Sequence, residues 1–97
     1  QVFYLTDSKQ GKLLAESIHG SIQSNIDPDN ERPVKGNAEY MILKKSPCPA
    51  VIVECGFLSN PDECKALTSA DYQDAMAAAI AEGIWYFITE YSDTLTE

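Results

Sequence analysis

The chain has 97 residues, 44% of them hydrophobic, and carries 7 basic against 15 acidic residues for a formal net charge of −8. A chain of this length forms one domain or part of one. The negative charge disfavours long-range attraction to nucleic acid and to anionic membranes. No stretch reaches the run of about 18 apolar residues that a membrane-spanning helix needs. The acidic excess is most simply explained as a solvated surface.

The first predicted elements are a strand and a helix. Residues 2–5, VFYL, are β-branched or aromatic and predict a short strand. Because the chain opens directly on this segment, we expect a processed chain or a fragment of a longer one. Isoleucine and leucine then recur every four residues from Leu14 to Ile26, which predicts an amphipathic helix. Asp7 is its expected N-cap, with Gln10 reciprocating.

A loop and an apolar strand are expected next. Residues 25–37 contain Pro28 and Pro33, which are typical of a loop. The stretch AEYMILKK at 38–45 predicts a strand or an extended approach to one. The stretch AVIVE at 50–54 is apolar on both faces, which is typical of a central strand in a sheet covered on both sides.

Two helices are expected at the end of the chain. In SNPDE, Asn60 is the expected cap, Pro61 takes the first helical position and Glu63 closes a capping box. This helix should end near Thr68, and a longer helix should follow at once. The tail at 92–97 is expected to fray. The buried stripe of the last helix is predicted to consist of Tyr72, Met76, Ala79, Ile80, Gly83, Phe87 and Ile88.

The order of these elements favours an α/β fold with a mainly parallel sheet flanked by helices. Ligand sites in open α/β sheets form outside the carboxyl ends of the strands, and Glu54 follows a buried strand at that end. We therefore expect Glu54 at the active edge, where a carboxylate beside an apolar crevice can act as a general base. A structural role, as a cap or as an ion pair with Arg32, Lys35 or Lys44, is an open alternative.

Other candidate chemistry has weaker support. Glu, Ser and His occur together at 16–19, but neighbours along a helix do not face one another. Cys55 as a nucleophile would need His19 as its base, and single buried cysteines are usually inert. One histidine cannot complete the common zinc-finger patterns. The odd number of thiols prevents complete pairing, so we expect reduced, mostly buried cysteines at Cys48, Cys55 and Cys64.

The stretch PAVIVECGFLSNPDE, residues 49–63, resembles a motif of the zinc-dependent N-acetylmuramoyl-L-alanine amidases of bacterial cell walls, the Amidase_3 family. The family pattern reads Pro-Ala-apolar-apolar-Val-Glu-x-Gly-Phe-apolar-Ser-Asn-x-x-Glu. It is matched here by Pro49, Ala50, Val53, Glu54, Gly56, Phe57, Ser59, Asn60 and Glu63. The segments SKQGKLLAESIHGSI, RPVK, YMILKKSPCPA and DYQDAMAAAIAEGIWYF resemble further parts of the family. Residues 1–97 thus look like the C-terminal portion of a single zinc amidase catalytic domain, most similar to the spore-cortex subgroup.

This resemblance implies a peptidoglycan hydrolase that cleaves the amide bond between N-acetylmuramic acid and L-alanine of the stem peptide. Glu54 maps onto the family's catalytic glutamate, which takes a proton from a zinc-activated water and passes it to the leaving amine. The family binds zinc through His, Glu and His, the last in a Ser-x-His-x-Asn motif just before the first strand of this chain. SIHGS at 17–21 imitates that motif, but His19 lies in a helix after that strand. We therefore expect zinc as the cofactor and no metal ligand in this chain.

The resemblance also implies partners and a location. Arg32 and Lys35 are candidates to meet stem-peptide carboxylates, with plain surface solvation as the alternative. The protein would be exported and act in the cell wall or spore cortex, in sporulation or as an autolysin. Its expected partners are peptidoglycan and its own N-terminal half, a second copy or an activator protein. The alternative function is a non-catalytic amidase-derived fragment that acts as a binding or docking module.

Overall fold

The computed structural model describes residues 1–95. Within them lie three strands and four helices, which make a small α/β fold as the sequence predicts. In chain order they are β1 Val2–Leu5, α1 Lys9–Asn25, β2 Lys35–Asn37, α2 Met41–Lys45, β3 Val51–Val53, α3 Pro61–Leu67 and α4 Ala70–Leu95.

The three described strands form a mixed sheet in the order β2-β1-β3. β1 pairs with β2 in parallel, with Phe3 opposite Lys35, and with β3 antiparallel, with Phe3 opposite Ile52. The sheet is therefore mixed where the sequence predicted a mainly parallel one. The connection from β2 to β3 crosses from one side of β1 to the other at the end of the sheet where β1 and β2 finish, so β3 runs antiparallel to β1. β3 is also an edge strand of the described sheet, where a central strand was expected.

The direction of β3 changes where Glu54 lies. Because β3 is antiparallel, its carboxyl end meets the amino ends of β1 and β2. The amide of Glu54 donates to the carbonyl of Gln1 at 2.9 Å, at the start of β1. Glu54 does follow the end of its own strand, as predicted, but the end of the sheet at which we expected it was wrong. Glu54 lies where β1 and β2 begin, not where they finish.

Side chains that bind neighbouring amides set the start of two helices differently from the prediction. α1 is capped by Ser8 rather than Asp7, since the Ser8 hydroxyl accepts from the Gly11 amide at 2.9 Å. The predicted strand at 38–45 is wrong, because the structure has the one-turn helix α2 there. The Asn37 side-chain oxygen accepts from the amides of Glu39 and Tyr40, at 2.8 and 2.9 Å, and turns the chain into α2.

α3 begins as the sequence predicts. The Asn60 side chain accepts from the amides of Asp62 and Glu63, at 3.0 and 3.2 Å, and Pro61 takes the first helical position. The amide of Asn60 donates to the carbonyl of Phe57 at 3.1 Å, which leaves no role for Glu63 in a capping box. The N-terminal turn of α3 is therefore fixed by one asparagine side chain.

α1 packs against β1, and α4 packs against α1. A Cβ added at Gly83 would lie 2.6 Å from the Cα of Ile18, so the two helices approach as closely as a glycine allows. Ser17 donates its hydroxyl to the Gly83 carbonyl at 2.6 Å. The predicted stripe of α4 is confirmed at its centre, whereas Ile88 is exposed. The buried core is formed by Val2, Leu14, Ala15, Ile18, Ile22, Met76, Ala79 and Phe87.

α4 is the longest helix, with 26 residues and a local break at Tyr91, where φ is −122° and ψ is 21°. The predicted frayed tail begins inside this helix, and its residues 96–97 lie outside the described residues. Among residues 1–95, no helix combines the length and the apolar character that crossing a membrane requires.

Candidate active site

A cleft of about 430 Å³ lies at the end of the sheet where β3 finishes and β1 begins. Its walls are formed by the C-terminal half of α1, the loop that follows it, the residues after β3, and α3. Glu54, Arg32 and His19 line this cleft together, although they are far apart in the sequence. Lys35 lies exposed in β2 and is not among the lining residues. The structure thus brings Glu54 together with Arg32, and leaves Lys35 outside.

The backbone of Glu54 is fixed at the cleft by two hydrogen bonds. Its amide donates to the carbonyl of Gln1 at 2.9 Å, and the amino group of Gln1 donates to the Glu54 carbonyl at 3.2 Å. The half-buried carboxylate forms no hydrogen bond or ion pair with any residue in 1–95. The helix-capping role that the sequence left open belongs to Asn60. The carboxylate is therefore available for chemistry in the cleft.

The residues that follow Glu54 are anchored to the helices behind them. A Cβ added at Gly56 would lie 3.2 Å from Cδ1 of Leu67, so α3 packs closely against this turn. The Tyr72 hydroxyl donates to the carbonyl of Cys55 at 3.3 Å. Burial raises the pKa of Tyr72, and the neighbouring Cys55 adds to the shift. These contacts fix the path of the chain on which Glu54 lies.

Arg32 is held in the cleft by its backbone and by an aromatic ring. Its amide donates to the side-chain oxygen of Asn30 at 3.0 Å. Its guanidinium carbon lies 4.6 Å from the centroid of the Phe57 ring, a cation–π distance. Gln1, at the start of β1, lines the cleft together with Arg32 and Glu54. Arg32 and Glu54 thus flank the start of β1.

Most of the other charged groups in the cleft are acidic. The sequence did not single them out as cleft residues, because they come from the loop after α1 and from the first turn of α3, which only the fold brings together. They are Asp27, Asp29, Glu31, Asp62 and Glu63. Residues 1–95 contain no group of three or more His, Cys, Asp or Glu side chains arranged to hold a metal ion.

His19 lies on the flank of α1, half-buried, as its helical spacing predicts. Its side chain lines the cleft, which was not expected. The helical spacing of His19, Ile22 and Ile26 could have indicated that they share one side of α1. In the structure all three line the cleft.

The cysteines differ in exposure, and only Cys55 lines the cleft. The three cysteines are free, as predicted, and the expectation that they are mostly buried is wrong for one of them. Cys48 is exposed, while Cys55 and Cys64 are half-buried. They lie in surface connections and in the short helix α3, where the described chain offers too little cover to bury them.

Residues 1–86 match the family model of Amidase_3, N-acetylmuramoyl-L-alanine amidase. This chain belongs to the N-acetylmuramoyl-L-alanine amidase family, which confirms the family predicted from residues 49–63.

Individual relatives extend this assignment. The germination-specific N-acetylmuramoyl-L-alanine amidase of Bacillus subtilis is 29% identical over 93 residues, which are 96% of this chain and 39% of that protein. The CwlD amidase of Clostridioides difficile, solved in complex with the GerS lipoprotein, gives a TM-score of 0.89 at 39% identity over 92% of this chain and 45% of that one. The amidase AmiC2 of Nostoc punctiforme gives 0.82 at 32% identity over 92% of this chain and 47% of that one. This chain thus spans less than half the length of these relatives.

Proposed function

We propose that this chain is the C-terminal portion of the catalytic domain of a zinc-dependent N-acetylmuramoyl-L-alanine amidase, and that Glu54 is its general base. The bond cleaved joins N-acetylmuramic acid to the L-alanine of the peptidoglycan stem peptide. The observation that carries this proposal is the half-buried Glu54 carboxylate, which lines a cleft of about 430 Å³ and has no hydrogen-bond or ion-pair partner in residues 1–95. The family membership and the names of the relatives support it.

The chemistry assigned to Glu54 is proton transfer. Its carboxylate takes a proton from the water that attacks the amide carbonyl, and gives it to the nitrogen of L-alanine as the carbon–nitrogen bond breaks. The products are a carboxylate on the lactyl group and a free amine on the peptide. The two hydrogen bonds to Gln1 support this role, since they hold the backbone of the base in one position.

The described residues do not fit zinc by themselves. A catalytic zinc needs about three protein ligands and an open position for water, and no such set occurs in residues 1–95. We therefore assign the ligands to residues that precede Gln1 in a longer protein. A segment leading into β1 would arrive beside the backbone of Glu54, because Gln1 is hydrogen-bonded to it. The proton transfer by Glu54 is assigned without any metal position or metal ligand.

The relatives also suggest where the protein acts. We propose a spore-cortex amidase that is exported to the cell wall or cortex, because a germination-specific amidase and CwlD are among the similar proteins. CwlD was solved with a lipoprotein bound, so a protein partner is part of this proposal.

The test is the reaction itself. The complete protein that carries this chain is incubated with purified sacculi, and released stem peptides with a new L-alanine amino terminus are measured by mass spectrometry. The proposal expects such peptides. A non-catalytic binding module would instead sediment with the sacculi and release nothing, and that result would reject the amidase function in favour of the alternative.

A further inference from the structure

We propose that Arg32 binds a carboxylate on the peptide arm of the substrate and thereby positions the scissile amide beside Glu54. This inference rests on the proposed amidase function. It assigns to one residue the recognition of an acidic peptide, and it leaves Lys35 out of that recognition.

The first argument is how the guanidinium is held. Its carbon lies 4.6 Å from the centroid of the Phe57 ring. Phe57 follows Glu54 by three residues, so the stack joins Arg32 to the segment that carries the base. The N–H donors of a guanidinium lie in the plane of the group and point outward from its edges. The contact with Phe57 thus holds Arg32 in place without a hydrogen bond from the guanidinium to another residue in 1–95.

The second argument is that these donors have no partner in the protein. In residues 1–95 the guanidinium forms no hydrogen bond and no ion pair, although several carboxylates line the same cleft. A planar fork of N–H donors matches the two oxygens of a carboxylate in a bidentate pair. The geometry therefore presents a preformed receptor for a carboxylate that comes with a ligand.

The third argument is the charge of the cleft. Among its lining residues in the described chain, Arg32 is the only arginine or lysine, whereas six are Asp or Glu. Among the lining side chains of the described chain, the carboxylates repel an acidic peptide and the Arg32 guanidinium attracts it. One attractive position fixes the register of a ligand along the cleft. Lys35 cannot contribute there, because it is exposed in β2 and does not line the cleft.

The test compares two synthetic muropeptides that differ only in whether the carboxylates of the peptide are free or amidated. Their dissociation constants are measured by calorimetry with the Glu54→Gln form of the complete protein, which is not expected to cleave them. The free-carboxylate ligand should bind about 10-fold tighter or more, as a charge-assisted bidentate pair implies.

Variants then locate the source of that preference. Adding Arg32→Gln should remove it, Arg32→Lys should keep part of it because the charge remains, and Phe57→Leu should weaken it because the stack is lost. Lys12→Gln removes one positive charge on α1 outside the cleft and should leave the preference unchanged. Arg32, Phe57 and Lys12 are exposed, so these variants should fold, and their melting temperatures verify it.

Any of four results would overturn the inference, and the first three concern the preference itself. They are equal binding of the two ligands, no binding of either, and a preference that survives Arg32→Gln. A loss of affinity that is equal for both ligands would also reject it, since that is what a purely structural arginine predicts. Cleavage of sacculi by the protein with Glu54 intact is measured separately. A preference for the free carboxylate without cleavage would reject the proposed amidase function and keep carboxylate binding by Arg32. Cleavage without the preference would keep the amidase function and reject carboxylate binding by Arg32.

Discussion

The interface between α1 and α4 and the cleft beside β3 use their polar groups in opposite ways. At the interface, the hydroxyls of Ser17 and Ser21 each donate to a carbonyl of α4 at 2.6 Å. In the cleft, neither the Glu54 carboxylate nor the Arg32 guanidinium forms a hydrogen bond or an ion pair within residues 1–95. Polar groups that hold a fold together are satisfied by the protein, whereas groups that act on a ligand are left available. Substitutions in the two regions should therefore separate stability from activity.

The largest effect is expected from Glu54→Gln in the complete protein. This change keeps the shape and removes the proton acceptor, so stem-peptide release should fall by about 100-fold to 10,000-fold. Folding stability and zinc content should stay near those of the unsubstituted protein. Glu39→Gln is the matched control, since Glu39 is exposed and does not line the cleft. Release within about tenfold of the unsubstituted protein would show that Glu54 is not the base.

Gly83→Ala should have the next largest effect, on stability rather than on chemistry. The added Cβ would lie 2.6 Å from the Cα of Ile18 and 3.0 Å from the carbonyl oxygen of Ser17, so the helices must separate. We expect the free energy of unfolding to fall by about 1–3 kcal/mol, measured by urea denaturation.

The control for that substitution is Gly20→Ala. No atom lies within 4 Å of a Cβ added at Gly20, which is also inside a helix. Alanine there should raise the free energy of unfolding by up to about 1 kcal/mol through helix propensity alone. If both glycine substitutions changed stability in the same direction, the close approach of α1 and α4 would be wrong.

A smaller loss of stability is expected from Asn60→Ala. The Asn60 side chain accepts from the amides of Asp62 and Glu63 and is the N-cap of α3. Its loss should cost about 1 kcal/mol in the same denaturation experiment. Ser59→Ala is the control, since Ser59 is exposed and precedes the cap. Equal stability of the two variants would contradict the capping role.

The smallest effect is expected from His19→Ala. His19 lines the cleft from the flank of α1, but no group of potential ligands surrounds it in residues 1–95. Zinc content should be unchanged, and stem-peptide release should stay within a small factor of the unsubstituted protein. Loss of stoichiometric zinc, measured by metal analysis, would show that SIHGS is the ligand motif after all.

The elements with strong local signals could be predicted from the sequence. The strand at 2–5, the helix of period four and the helix capped by Asn60 all lie where the patterns indicated. The topology of the sheet could not be predicted, because the direction of β3 depends on the end of the sheet at which the chain re-enters it. No local sequence pattern indicates that end. α2 was mistaken for a strand because its one turn depends on the Asn37 side chain, whose hydrogen bonds outweigh the extended preference of the following residues.

The candidate site could be predicted only in part. Glu54 follows an apolar strand and belongs to a long family motif, so its place after that strand and its proposed role could be inferred from the residues, but not the end of the sheet at which it lies. The cleft around it could not be inferred, since it brings together Gln1, Arg32 and Asp62 from three distant segments. Arg32 and Lys35 could not be told apart in the sequence, because only the fold shows that one of them lines the cleft.

The central claim is that residues 1–97 supply the base of an amidase site while the zinc ligands belong to residues before Gln1. Metal analysis and stem-peptide release from purified sacculi test it, with residues 1–97 alone and after mixing with the N-terminal half of the domain. We predict neither tight zinc binding nor cleavage by residues 1–97 alone, and both in the mixture, because about three protein ligands are needed for a catalytic zinc. Stoichiometric zinc and turnover by residues 1–97 alone would contradict the account.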